Sequence, residues 1–140
     1  MKRSLCAVLA VALAGCAANK PSARDAIAND LEEMRAEAAQ RIKDPRRAAQ
    51  TLESIEGLKE ALFALEEAIA NARFQLRTLD ARPEATRAEF DALLDAFEAR
   101  HRAARERVLA RHFELIAATT EDEWKALWRH ERDALVASTR

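Results

Sequence analysis

Apolar residues recur at Ile55, Leu58, Leu62, Leu65, Ile69, Ala72, Leu76 and Leu79, in steps of three and four, with charged residues between them. Such spacing is the heptad signature of a helix laid against a partner along a narrow seam. A second stretch repeats it at Phe90, Leu94, Phe97, His101, Ala104, Val108 and Leu115. Shorter stripes flank the two: Ile27, Leu31, Met34, Ala38 and Ile42 before them, and Trp124, Leu127, Trp128 and Leu135 after them. Each stripe is one face of an amphipathic helix that must be covered by something.

Punctuation is scarce enough to be positional. Gly57 is the only glycine beyond Gly15, and the prolines are Pro21, Pro45 and Pro83. Asp44-Pro45 reads as an N-cap followed by proline at the first helical position, and Pro83 can open another helix in the same way. Thr120 with Glu123 three residues on is a capping box. The predicted helices therefore run over about Ser22 to Lys43, Pro45 to Leu79, Pro83 to Ala118, and Glu121 to Ala137. The fold class is all-α: a long antiparallel helical hairpin with two shorter flanking helices, an elongated four-helix arrangement with a coiled-coil-like seam. Each long helix spans roughly 50 Å at 1.5 Å per residue. A turn at Asp80 to Arg82 places opposite one another those residues whose numbers add to about 163. Gly57 in mid-helix costs about 1 kcal/mol relative to alanine, which close approach of a neighbouring helix or a slight bend explains. The unclaimed faces can close over the hairpin or meet a second copy, so a homodimer is one expectation.

The first residues set an address. Lys2 and Arg3 precede an apolar run from Leu5 to Leu13, too short to span a bilayer, which ends at Leu13-Ala14-Gly15-Cys16. This stretch resembles the lipobox of bacterial lipoproteins. The resemblance implies a signal peptide over 1-15, cleavage before Cys16, and diacylglyceryl attachment to the Cys16 sulfur with acylation of the new amine. Residues 16-21 then form a lipidated tether and 22-140 a single helical domain. Ala17, rather than aspartate, after the cysteine is similar to the outer-membrane address of enteric-type lipoproteins, so the expected place is the periplasmic face of that membrane. Cys6 lies in the signal and Cys16 carries the lipid, so no thiol is left for a disulfide framework. Removing Lys2 and Arg3 from the 23 basic residues leaves 21 against 24 acidic ones. That balance argues against nucleic acid as a partner.

Candidate chemistry is sparse. Arg100, Arg102, Arg105, Arg107 and Arg111 form a basic stretch beside a helix that carries Glu53, Glu56, Glu60, Glu66 and Glu67. Ion pairs that set antiparallel register are one reading, each worth at most about 1 kcal/mol when exposed. The sharper one is a patch centred on Arg102 and Arg105 for an anionic envelope ligand, such as a phosphorylated glycolipid or a cell-wall acid. Trp124 and Trp128, one turn apart, either cap a bundle or form a ridge that grips apolar partners. His101 sits at a seam position opposite Leu62, where its protonation would loosen the hairpin at acidic pH. His112 lies roughly 16 Å further along the same helix, too far to share an ion with it, and His130 is in the last helix, so no metal site is expected. No nucleophile elbow, glycine-rich phosphate cradle or metalloprotease helix motif is present, and the reading is non-enzymatic, with no cofactor beyond the lipid on Cys16.

Thr120-Glu121-Asp122-Glu123, followed by Trp124 to Leu127, is similar to the Thr-x-x-Gln portion of the Leu-Thr-x-x-Gln segment of Spy/CpxP-like and heavy-metal-resistance periplasmic helical proteins. Thr119 replaces the leucine and Glu123 the glutamine. The resemblance implies binding of unfolded clients or metal-linked stress sensing. Together these readings give a membrane-anchored helical binding or chaperone-like module. The alternative is an assembly subunit that docks on a fixed envelope complex through its coiled-coil face.

Overall fold

The computed structural model describes residues 21–140, in which four helices follow one another: α1 (Ala23–Arg41), α2 (Pro45–Asp80), α3 (Arg87–Ala118) and α4 (Glu121–Ser138). The lipobox and Cys16 lie outside the described residues. Two starts, those of α2 and α4, coincide with the caps read from sequence, and α1 begins at the expected Ser22. Ser22 and Asp25 form a reciprocal box at α1, the Asp44 carboxylate accepts from the Arg47 N–H at 2.7 Å at α2, and Thr120 and Glu123 form a box at α4. Each satisfies donors that a helix N-terminus leaves free.

The start of α3 corrects the expectation at Pro83. Arg82, immediately ahead of that proline, offers no side-chain oxygen to cap a helix. Thr86 does: its hydroxyl accepts from the Glu89 N–H, while the Glu89 carboxylate accepts from the Thr86 N–H at 2.8 Å. Pro83 falls in the link between α2 and α3, where Arg82 pairs with Glu84 at 3.4 Å and Glu89 at 2.5 Å. The longer link shifts the hairpin register. Ser54 meets Glu114 at 3.5 Å and Gly57 faces Arg111, so opposed residues add to about 168. His101 therefore comes level with Glu67, not Leu62. A Cβ at Gly57 would lie 2.6 Å from Arg111 Nε, so the missing side chain makes room for this guanidinium to reach Glu114 at 2.7 Å.

The short helices cover only one end of the hairpin. Arg24 near the start of α1 lies over the Phe63 ring at 4.5 Å, and Arg73 donates to the carbonyls of Thr139 and Arg140 at the end of α4. Between these levels and the two interhelical loops, Ile27, Leu31 and Met34 pack with Leu58, Leu62, Leu115, Leu127 and Ala134 in one buried core. With 19 and 18 residues against 36 and 32, α1 and α4 end about halfway along their neighbours. Beyond them α2 and α3 continue as a two-helix arm. There the seam residues Leu76 and Leu94 are 42% and 48% exposed. The buried residues of α3, Ala104, Val108 and Leu115, all lie in its bundle half.

Candidate functional site

At the base of the bundle, α3 and α4 meet through an aromatic chain. The Arg47 guanidinium grips the Glu123 carboxylate with bonds of 2.6 and 3.1 Å, which fastens the start of α4 to the start of α2. That hold, together with the Thr120 backbone N–H, keeps the Glu123 carboxyl at about 2, well below its ordinary 4.5. One residue on, Trp124 is half-buried against the core. Its ring meets the His112 ring edge-on with centroids 5.4 Å apart, and Trp128 follows at 6.4 Å from Trp124. His112 in turn abuts Phe113 at 5.3 Å. Trp124 thus behaves as a bundle cap and Trp128, 43% exposed, as a ridge. Phe113, Ile116 and Leu109 on α3 are exposed as well, so the base carries apolar surface on both helices, mounted on rigid backbone.

Under this surface lies a buried titratable pair. His112 Nδ1 is 2.9 Å from Glu131 Oε1, and Glu131 is fully buried, its Oε2 without a hydrogen-bond partner among the described residues. Burial pushes the Glu131 carboxyl above its ordinary value, and the His112 hydrogen bond opposes this. His112 was visible in the sequence only as a candidate ligand and Glu131 not at all, because their meeting depends on how α4 crosses α3. The stripe from Trp124 gave only the apolar part of that helix face.

The arginine stretch does not do what register-setting ion pairs would require. Arg100, Arg102, Arg105 and Arg107 make no ion pair within 4 Å among the described residues, and Arg111 pairs with Glu114 on its own helix. Two causes act together: the register shift moves the glutamates of α2, and the helical repeat turns Arg102 and Arg105 to the face of α3 away from Val108 and Ala104. Of the glutamates, Glu56 pairs with Lys59 at 2.5 Å and with Arg35 of α1 at 3.9 Å. Arg100 and Arg107 flank a groove of about 500 Å³ floored by Ala64, Ala68 and Ala104.

The histidines stay apart. His101 lies against Phe97 at 5.2 Å, His112 holds Glu131, and His130 lies 3.0 Å from Glu37 and 3.5 Å from Glu33 on α1. Among the described residues no group of three or more His, Cys, Asp or Glu side chains is placed to hold a metal ion. The Glu37 carboxyl is lowered by its hydrogen bond from Arg41 and then by His130, while burial and the nearby Asp133 and Glu33 raise Asp30. This acidic edge serves to join α1 to α4. No described helix is long and apolar enough to cross a membrane. No protein-family model matches the chain, and no curated protein or solved structure does either.

Proposed function

We propose that the chain is a lipid-anchored, non-enzymatic binding module of the bacterial cell envelope that captures unfolded exported proteins in a chaperone-like way. The Leu13-Ala14-Gly15-Cys16 lipobox supports the anchor, since two or more acyl chains, at about 0.8 kcal/mol per buried methylene, give stable attachment where one does not. Ala17 favours the periplasmic face of the outer membrane. The observation that carries the binding role is the bare apolar surface at the base of the bundle, with Phe113 63% and Trp128 43% exposed. Exposed aromatics on a rigid support suit apolar segments of any sequence, which an unfolded chain supplies.

The direct test is whether the purified chain suppresses aggregation of a chemically unfolded reference protein. Suppression that weakens at least severalfold in a Phe113→Ala/Trp128→Ala double variant, with helix content intact, is the expected result. Suppression that the double variant keeps in full contradicts the reading. A palmitate label should enter the wild-type chain and not Cys16→Ser. A second reading, an assembly subunit docking on one fixed partner, is favoured by the projecting arm, where Phe74 and Leu76 stand uncovered.

A further inference from the structure

A second stripe runs along α3, turned away from the seam that packs on α2. It falls at Asp95, Glu98, Arg102, Arg105 and Leu109 in steps of three and four, all of them exposed, and resumes at exposed Ile116 beyond His112, which holds Glu131 of α4. The stripe is polarised: acidic toward the tip of the arm, basic at its middle, apolar toward the base. None of its four charged members makes an ion pair among the described residues, although Glu98 and Arg102 stand at the i,i+4 spacing that allows one. The fold thus leaves the run from Asp95 to Leu109 with separated charges and no partner among the described residues.

Two-fold contact sets one surface against itself, so that residue i meets j and j meets i. Laid antiparallel on a second α3 about an axis at Arg100, the stripe matches itself: Asp95 meets Arg105, Glu98 meets Arg102, and both pairs recur on the other side. Leu109 comes within a turn of Leu94, another exposed apolar residue of α3. Parallel pairing sets Arg102 against Arg102 and Glu98 against Glu98, which like-charge repulsion disfavours. An anionic ligand would satisfy the arginines, but it would sit beside Asp95 and Glu98 and leave Leu94 and Leu109 without a role. We propose that the outer stripe of α3 is the docking surface for a second copy of this chain, bound antiparallel. Leu109 and Ile116 border the base surface as well, but the charges at 95, 98, 102 and 105 that set the pairing lie outside it, so swapping those charges tests the pairing apart from client capture.

A charge swap tests the pairing on the full chain. Two differently tagged copies are co-expressed, extracted in mild detergent and captured through one tag. Wild-type copies should capture each other. An all-acidic variant (Arg102→Glu/Arg105→Glu) and an all-basic variant (Asp95→Arg/Glu98→Arg) should each self-capture at least about tenfold less, given repulsion in place of four pairs. Mixing the acidic with the basic variant should restore capture, since each again meets its opposite. All four substitutions are at exposed positions, and circular dichroism should show unchanged helix content. Self-capture that survives in both single-sign variants overturns the proposal, as does a mixture that fails to recover. Absence of wild-type self-capture, with the basic variant gaining binding to phosphatidylglycerol vesicles, also overturns it and assigns the arginines to an anionic surface.

Discussion

Glu131 is the residue whose environment departs furthest from its sequence neighbourhood. An ionised carboxylate with one oxygen unpartnered is costly in a dry interior, and its raised pKa expresses that cost. The folded state therefore holds the Glu131 proton more tightly than the unfolded state, and in the interval between the ordinary 4.5 and the raised value stability falls as pH rises. Glu131→Gln, which keeps the shape and removes the charge, should raise the thermal midpoint at pH 7 by about 3 °C or more. That gain should shrink as pH falls toward 4.5, which melting curves across that range would check. A loss of stability at pH 7 would mean that an ion pair with His112 outweighs the burial. Gly57 shows a residue legible in part: its spacing announced close approach, but only the folded chain shows that the approaching group is the Arg111 side chain.

Caps decide the elements, and helix starts are legible in the sequence through them. Asp44-Pro45 and Thr120/Glu123 marked helix starts because a side-chain oxygen two or three residues ahead of free N–H groups is a local feature that packing need not supply. Thr86/Glu89 is the same device, equally legible, and Pro83 drew the start away from it. A start at Thr86 rather than Pro83 moves the whole hairpin register, since every cross-helix pair counts from the turn. Glu123 combines a cap with an ion pair, and its depressed pKa makes its contribution full above 4.5 and lost as pH falls toward about 2. Glu123→Gln retains the capping amide and removes the charge, so it should lower the thermal midpoint at pH 7 and converge on wild type as the solution is acidified through that interval. An equal deficit at every pH would point to packing instead. The arm is a second element-level consequence. With no short helices beside it, amides near Phe74 and Leu94 should exchange with deuterium well before those near Leu58 and Leu127, and uniform protection along α2 in the monomer would contradict the halfway coverage.

At the scale of the whole molecule, two long helices are half clothed by two short ones, and the bare regions differ in character. The base exposes Phe113 and Trp128, the arm exposes Phe74, Leu76 and Leu94, and the outer stripe of α3 is self-complementary in charge. Heptad spacing foretold the helices and the hairpin because burial periodicity is written locally. It did not foretell which faces remain bare, because that depends on where α1 and α4 end in space. The arginines at 102 and 105 and the tryptophans were visible in sequence as candidates, while Phe113, Ile116 and Leu109 were not, since α3 had already been assigned a buried seam. On the proposed function, the base surface around Trp128 holds unfolded exported proteins. Photo-crosslinking in living cells from a probe amino acid placed at Trp128, with mass spectrometry of what is captured, tests this at the surface itself. Client capture requires a broad set of unrelated exported proteins that grows when folding is stressed; a single envelope protein captured in constant proportion under all conditions overturns it.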